Sequence, residues 1–233
     1  MPTTVSDHVV DLLTEWGVDT VFGLPGDGIN GLVEAFRKAS DRLRYIHCRH
    51  EEAAALAACA YAKFTGRLGV VFSTAAPGAV HLLNGLYDAK IDGAPVLALT
   101  GMTYHDLIGT HYLQDMNQDY LFQDVAAYNQ RIMGPAHVEN VLNLACRTAL
   151  AHRAVAHVAI PIDIQAMPAS QERRFKRNVK GHTSAAYETP RRLPERERLE
   201  AAAQLLKGKR RIAILAGAGA RGARSELEQL AER

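Results

Sequence analysis

Apolar positions along the first 165 residues switch between two spacings. Within Val5 to Trp16, Val9, Leu12, Leu13 and Trp16 recur at helical intervals, and Gly17 follows as a stop. Thr20 to Leu24 is a short apolar run ending in Pro25-Gly26, the pattern of a buried strand entering a tight turn. The alternation continues with a helix over Gly31 to Lys38, a strand over Leu43 to His47, an alanine-rich helix over Glu51 to Thr65 and a strand over Leu68 to Phe72. Pro77 opens a helix predicted to run to about Ile91, at a position that suits a residue lacking a backbone N–H. Pro95 to Leu99 is the next strand. After Gly101 the pattern dissolves into a polar, His-containing loop up to about Gln118. A helix near Val138 to His152 and a strand over Val155 to Ile160 then close the segment. Strands that are nearly all apolar and alternate with helices predict an α/β, doubly wound, mostly parallel sheet with helices on both faces.

Residues 1–166 therefore read as one domain. From 167 to 194 the chain is charge-rich, holds three prolines and loses its apolar period, as an interdomain linker does. Residues 195–233 read as the beginning of a second α/β domain: helix over Leu199 to Leu206, strand over Arg211 to Ala216, helix from Ser225. About forty residues are too few to build a covered parallel sheet, so this second domain reads as truncated.

Composition adds exclusions. Twenty-seven basic and 25 acidic residues leave a formal charge of +2, which argues against nucleic acid or an anionic membrane as the main partner. The stretch Arg173 to Lys180 holds five basic residues and no acid, and reads as a solvated linker. Cys48, Cys59 and Cys146 are odd in number and lack CxxC spacing. No secretory signal pattern or long apolar run is present, so reduced thiols and a cytoplasmic location are expected.

Candidate chemistry sits where strands run into helices, because ligands of open α/β sheets gather at the carboxyl ends of strands. Arg49-His50-Glu51-Glu52 is one such junction. By position alone the two acids either complement the helix dipole or place a carboxylate in a crevice beside an unusually small face (Ala53, Ala54, Ala55, Ala57, Ala58, Ala60). Ser73-Thr74-Ala75-Ala76-Pro77-Gly78 is a second junction, where small residues and a helix start offer backbone donors; a plain tight turn explains Pro77-Gly78 equally well. His105, His111 and Asp115 have no clean ligand spacing and read as loop residues, so no metal ligands are expected. Gly217-Ala218-Gly219-Ala220-Arg221-Gly222 fits G-x-G-x-x-G after a predicted strand.

Taken in order, Phe22-Gly23-Leu24-Pro25-Gly26-Asp27, Arg49-His50-Glu51-Glu52-Ala53-Ala54, Ala62-Lys63-Phe64-Thr65-Gly66, Thr74-Ala75-Ala76-Pro77-Gly78, Asn84-Gly85-Leu86-Tyr87-Asp88-Ala89 and Pro95-Val96-Leu97-Ala98-Leu99 carry a family resemblance. The segment resembles the pyrimidine-binding domain of thiamine-diphosphate enzymes of the pyruvate oxidase and acetolactate synthase branch, over about residues 4 to 165. The resemblance implies that Glu51 is catalytic, hydrogen-bonding the cofactor's aminopyrimidine and so promoting the C2 ylid that attacks a 2-keto acid such as pyruvate. A carboxyl group in an apolar crevice, its charged form disfavoured, is suited to sharing a proton with a ring nitrogen. Glu52 is expected to face away. Pro25, Gly26, Thr74, Pro77, His81 and Asn84 fall on the cofactor side of the motif, and Gln114 on a loop near the reacting carbon. Two departures stand out: Leu113 where the family has Phe, and Ala76 where it often has Gly.

The resemblance also implies Mg2+, bound in a C-terminal domain absent from this chain. Gly26-Asp27-Gly28 is similar to the opening of that metal motif, but Glu51 to Leu56 and its flanks lack the Asn pair the motif needs, so it reads as a turn. The second domain would be the start of a central Rossmann-like domain, with Gly217, Gly219 and Arg221 at an FAD pyrophosphate turn; many relatives keep that fold without flavin. A homo-oligomer, dimer or tetramer, is implied, with the alanine-rich helix a candidate interface and the segment alone inactive. The alternatives are acetolactate synthase or decarboxylase chemistry, a naturally split enzyme, or a non-catalytic dinucleotide-binding or regulatory module.

Overall fold

A computed structural model describes residues 3–169, 182–188 and 193–232. The basic stretch 173–180 lies outside the described residues. The chain divides into two units, residues 1–189 and 190–233.

The first unit is built on six parallel strands: β1 (Thr20–Gly23), β2 (Arg44–His47), β3 (Gly69–Ser73), β4 (Val96–Met102), β5 (Ala126–Arg131) and β6 (Val155–Pro161), in the order β2-β1-β3-β4-β6-β5. Helices α1 (Val5–Glu15), α2 (Asn30–Lys38), α3 (Glu51–Thr65), α4 (Pro77–His81), α5 (Leu83–Asp92), α6 (Gln118–Leu121), α7 (Val138–His152) and α8 (Ile162–Ala166) connect and cover them. Side chains alternate across each strand, so the sheet separates two apolar layers. Val70, Phe72, Leu97, Leu99, Val158 and Ile160 pack with α1, α2 and α7. Val71, Val96, Ala98 and Val155 pack with the small face of α3 and with α5. The doubly wound α/β fold read from the pattern is the fold observed.

Local chemistry explains the element boundaries. Thr4 caps α1 in a reciprocal box with Asp7, and left-handed Gly66 and Gly93 end α3 and α5. On α3 the alanines let backbone approach backbone: a Cβ at Gly69 would lie 2.2 Å from the Ala58 carbonyl oxygen, and one at Gly85 2.5 Å from Ala55 Cβ. Lys63 binds Asp88 and Asp92 of α5 at 2.7 Å each, and Cys59 Sγ donates to Asp88 at 3.0 Å. Burial, with Asp88 beside it, pushes the Cys59 thiol up to about 12, so it is an inert packing group.

Several expectations need correction. The helix expected from Pro77 to Ile91 is two, α4 and α5, meeting at Leu82, whose N–H bonds the carbonyl three residues back at Ala79. The stretch up to Gln118 and beyond holds α6 and the edge strand β5, neither foreseen. Within the stretch 167–189, which falls in the first unit, Ala169 N donates to Thr3 O, Thr183 bonds Asn143, and Arg147 of α7 donates to the carbonyls of Ser184 and Ala186.

In the second unit α9 (Arg196–Leu206) and α10 (Arg224–Ala231) form. The strand expected over 211–216 does not: those residues are irregular and exposed, Leu215 fully so. A parallel strand needs neighbours to receive its backbone N–H and C=O groups, and none exists among the described residues of this unit.

Candidate functional site

The strand order makes the site. The chain runs outward from β1 to β2, then returns to the other side of β1 for β3, so β1 and β3 flank a topological switch point. The turns leaving them meet there. Gly28 N donates to Thr74 Oγ1 at 3.1 Å, and a Cβ on Gly26 would lie 2.6 Å from Thr74 Cβ. Gly28 also lies against β4: a Cβ at Gly101 would approach the Gly28 carbonyl oxygen to 2.1 Å. Gln165 of α8 fastens the turn from below, donating to Gly28 O at 2.8 Å and to Ile160 O at 2.9 Å.

Glu51 opens α3 just after β2, and its side chain is buried to 7% exposure. His81, the last residue of α4, faces it with Nδ1 3.0 Å from Oε2; the carboxylate accepts, so Nδ1 carries the hydrogen. Oε1 makes no hydrogen bond among the described residues. It faces Gly78, where an added Cβ would stand 3.1 Å away, so glycine keeps that oxygen accessible. His50 caps α3 by accepting the Glu52 N–H at Nδ1, 3.2 Å, and its ring stacks on His81 with centroids 4.7 Å apart. One buried carboxylate is thus oriented on one oxygen and open on the other.

A family profile described as thiamine pyrophosphate enzyme, N-terminal TPP binding domain, matches residues 3–121. The chain belongs to this family. It is 41% identical over 230 residues to the Bacillus subtilis (strain 168) protein YdaP, covering 99% of this chain and 39% of that protein. It is 42% identical over 229 residues to pyruvate oxidase of Lactiplantibacillus plantarum, covering 96% and 36%. With acetolactate synthase of Mycobacterium bovis it shares 32% over 232 residues, covering 98% and 36%. The chain thus spans little more than a third of the length of these relatives.

Within this thiamine pyrophosphate-binding domain the remaining expected residues divide. Thr74 and Gly26 meet at the switch point, with exposed Pro25 beside them, and Pro77 occupies the first turn of α4. Asn84 turns to Glu52, donating from Nδ2 to Oε1 at 3.0 Å. This pair bridges α3 and α5 and does not involve Glu51. Gln114 and Leu113 lie on the exposed loop between β4 and α6, Gln114 with φ 58°. In the second unit Gly217 opens a single 3-10 turn and Arg221 follows it. A Cβ on Gly217 or Gly219 would meet nothing within 4 Å, so no close approach of backbone demands glycine there.

Other groups have partners that went unread in the sequence. His105 of the same loop hydrogen-bonds Asp163 of α8 through both its backbone N–H and Nδ1. That partnership raises the His105 pKa; burial opposes a low Asp163 pKa, but the bonds from His105 hold it down. Asp115 accepts the Gly109 and His111 N–H groups and shapes the loop. Behind the sheet end, the Thr100 hydroxyl sits 2.5 Å from Gln118 Oε1 and 2.8 Å from His157 Nε2, while Phe122 stacks on the buried imidazole at 3.7 Å. These partners come from different elements, and no local spacing announces them.

Proposed function

We propose that this chain is the pyrimidine-binding segment of a thiamine-diphosphate-dependent 2-keto-acid enzyme of the pyruvate oxidase kind, with Glu51 as its proton-handling carboxylate. The observation that carries this reading is the asymmetry of Glu51: Oε2 held by His81 and Oε1 open beside Gly78. The residues fit the group. A planar aminopyrimidine needs an oxygen acceptor or donor at a ring nitrogen and a surface free of Cβ atoms, and Glu51 Oε1 with Gly78 offers both. When bound, thiamine diphosphate supplies the carbanion chemistry that decarboxylates a 2-keto acid.

The chain's own residues do the rest. His81 Nδ1–H fixes the carboxylate plane, leaving Oε1 to hold or pass a proton at the pyrimidine nitrogen. The Thr74 hydroxyl joins the turns after β1 and β3, which keeps Gly26, Gly28 and Gly78 in register with Glu51. The buried flank of α3 shields that carboxylate on one side, with Oε1 left open toward Gly78. Mg2+ and the diphosphate belong, on this reading, to a domain outside this segment, so residues 1–233 alone would not turn over substrate. FAD at Gly217, Gly219 and Arg221, a cytoplasmic location and a homo-oligomer are parts of the same proposal. Its support is the similarity to pyruvate oxidase over nearly the whole chain.

In the polypeptide that joins this segment to its diphosphate-binding domain, Glu51→Gln is expected to slow hydrogen–deuterium exchange at C2 of bound thiamine diphosphate by about 10²–10⁴-fold. An unchanged exchange rate would overturn the assignment and favour a non-catalytic module.

A further inference from the structure

The head of α3 offers more donors than the reading above employs. His50 and His81 each present a ring nitrogen and Glu51 an oxygen, all within 4.8 Å of one another. The two rings are stacked, 27° from parallel, so one must turn out of the stack before both in-plane lone pairs can meet at one ion. Two imidazoles and one carboxylate form a donor set for a borderline transition ion. Mg2+ and Ca2+ prefer oxygen alone.

The geometry points to a metal site at His50, Glu51 and His81 that takes one divalent ion of the Zn2+ class. Ligands at the usual 2.0–2.2 Å around a tetrahedral ion stand about 3.4 Å apart. The Glu51 Oε2 to His81 Nδ1 separation of 3.0 Å needs to open by only a few tenths of an ångström, with the His81 ring proton passing from Nδ1 to Nε2 as the metal bond forms. His81 is half exposed and His50 exposed, so the ion has a path in, and three protein ligands leave a fourth position for water.

Coordination has a cost at the helix start. His50 Nδ1 now accepts the Glu52 N–H. Binding through Nδ1 replaces that bond, and binding through Nε2 moves the ring proton to Nδ1 and breaks it. By either route α3 exchanges a backbone cap for a metal bond, and the Glu52 amide is released. Sequence spacing hides the site, since His81 is 30 residues from Glu51 and on another helix. If Glu51 is also the pyrimidine contact, which rests on the function proposed above, the ion at Oε2 and the pyrimidine at Oε1 use opposite oxygens of one carboxylate, and the ion weakens the hold of Oε1 on a proton.

The test is titration of residues 1–233 with Co2+, followed by visible absorption, with Zn2+ then added to displace it. One ion per chain is expected, with faster exchange of the Glu52 amide on loading. Glu51→Gln and His81→Ala should each weaken binding roughly tenfold or more, since outer-shell changes alone cost about that much. His50→Asn should do the same while still able to cap the helix, and circular dichroism should show it folded. His105→Ala, which breaks the separate His105, Asp106, Asp163 group, should leave binding unchanged. Absence of saturable one-ion binding, binding that survives His81→Ala and His50→Asn, or binding lost in His105→Ala would overturn the site.

Discussion

Ala76 holds a buried backbone conformation, φ 48° and ψ −99°, that side-chain-bearing residues rarely adopt. It precedes Pro77, which restricts its backbone further. Ala76→Gly is expected to raise stability by about 1 kcal/mol, the relieved strain exceeding the added chain entropy, as a higher urea midpoint would show. A second consequence lies at His157, whose burial pushes its pKa from 6.5 down to about 3. Between those values the unfolded chain takes up a proton that the folded chain refuses, so stability falls as pH drops from 6.5 toward 3. His157→Gln should be less stable at neutral pH yet lose less on acidification, measured by urea unfolding across that range. The sequence singled out Glu51 only through the ordered family motifs, since its position alone left a helix-dipole role open. It showed Ala76 as a departure but not as strain, and it could not pair Glu51 with His81.

Elements with strong apolar periods were readable nearly to the residue; α7 and β6 are examples. β5 was not, because it carries Asn129, Gln130 and Arg131 and borders the sheet, where none of its residues is fully buried. Its pairing to β6 is a tertiary fact that its composition conceals. The expected strand over 211–216 failed for the converse reason, an apolar run without a neighbour. The small face of α3 was legible in the sequence, but not that α5 packs on it, nor how tightly. At Gly85 an added Cβ would stand 2.6 Å from the Leu56 backbone nitrogen as well as touching Ala55. Backbone cannot yield as a side chain can, so Gly85→Val should destabilise the unit by about 1–3 kcal/mol or more. Thermal melts would register the loss, and a melting point within a degree of wild type would contradict this packing.

For the whole molecule, α3 and α5 together present outward apolar residues: Leu56 and Phe64 on one helix, Tyr87 and Ile91 on the other, with Phe64 82% and Ile91 79% exposed. Spacings of four and eight keep each set on one face. On the proposed function this face meets a second copy. Phe64→Asp combined with Ile91→Asp is then expected to weaken self-association at least tenfold, read by sedimentation equilibrium; undiminished self-association would place the contact elsewhere. The strand order carries one more consequence, for the order in which a growing chain can fold. β5 leaves the ribosome before β6 but pairs only with it, and β4 also awaits β6, with Val96 paired to Val155 across nearly sixty residues. Until residue 161 emerges, the half that holds Glu51 can close around β1, β2 and β3 while the fourth strand keeps an open edge. The chain thus passes through a stage in which Glu51 and His81 can already meet, the Gln165 bond that fastens the Gly28 turn is still to come and the sheet is still adhesive, and translation pauses or premature stops just short of β6 would leave it there.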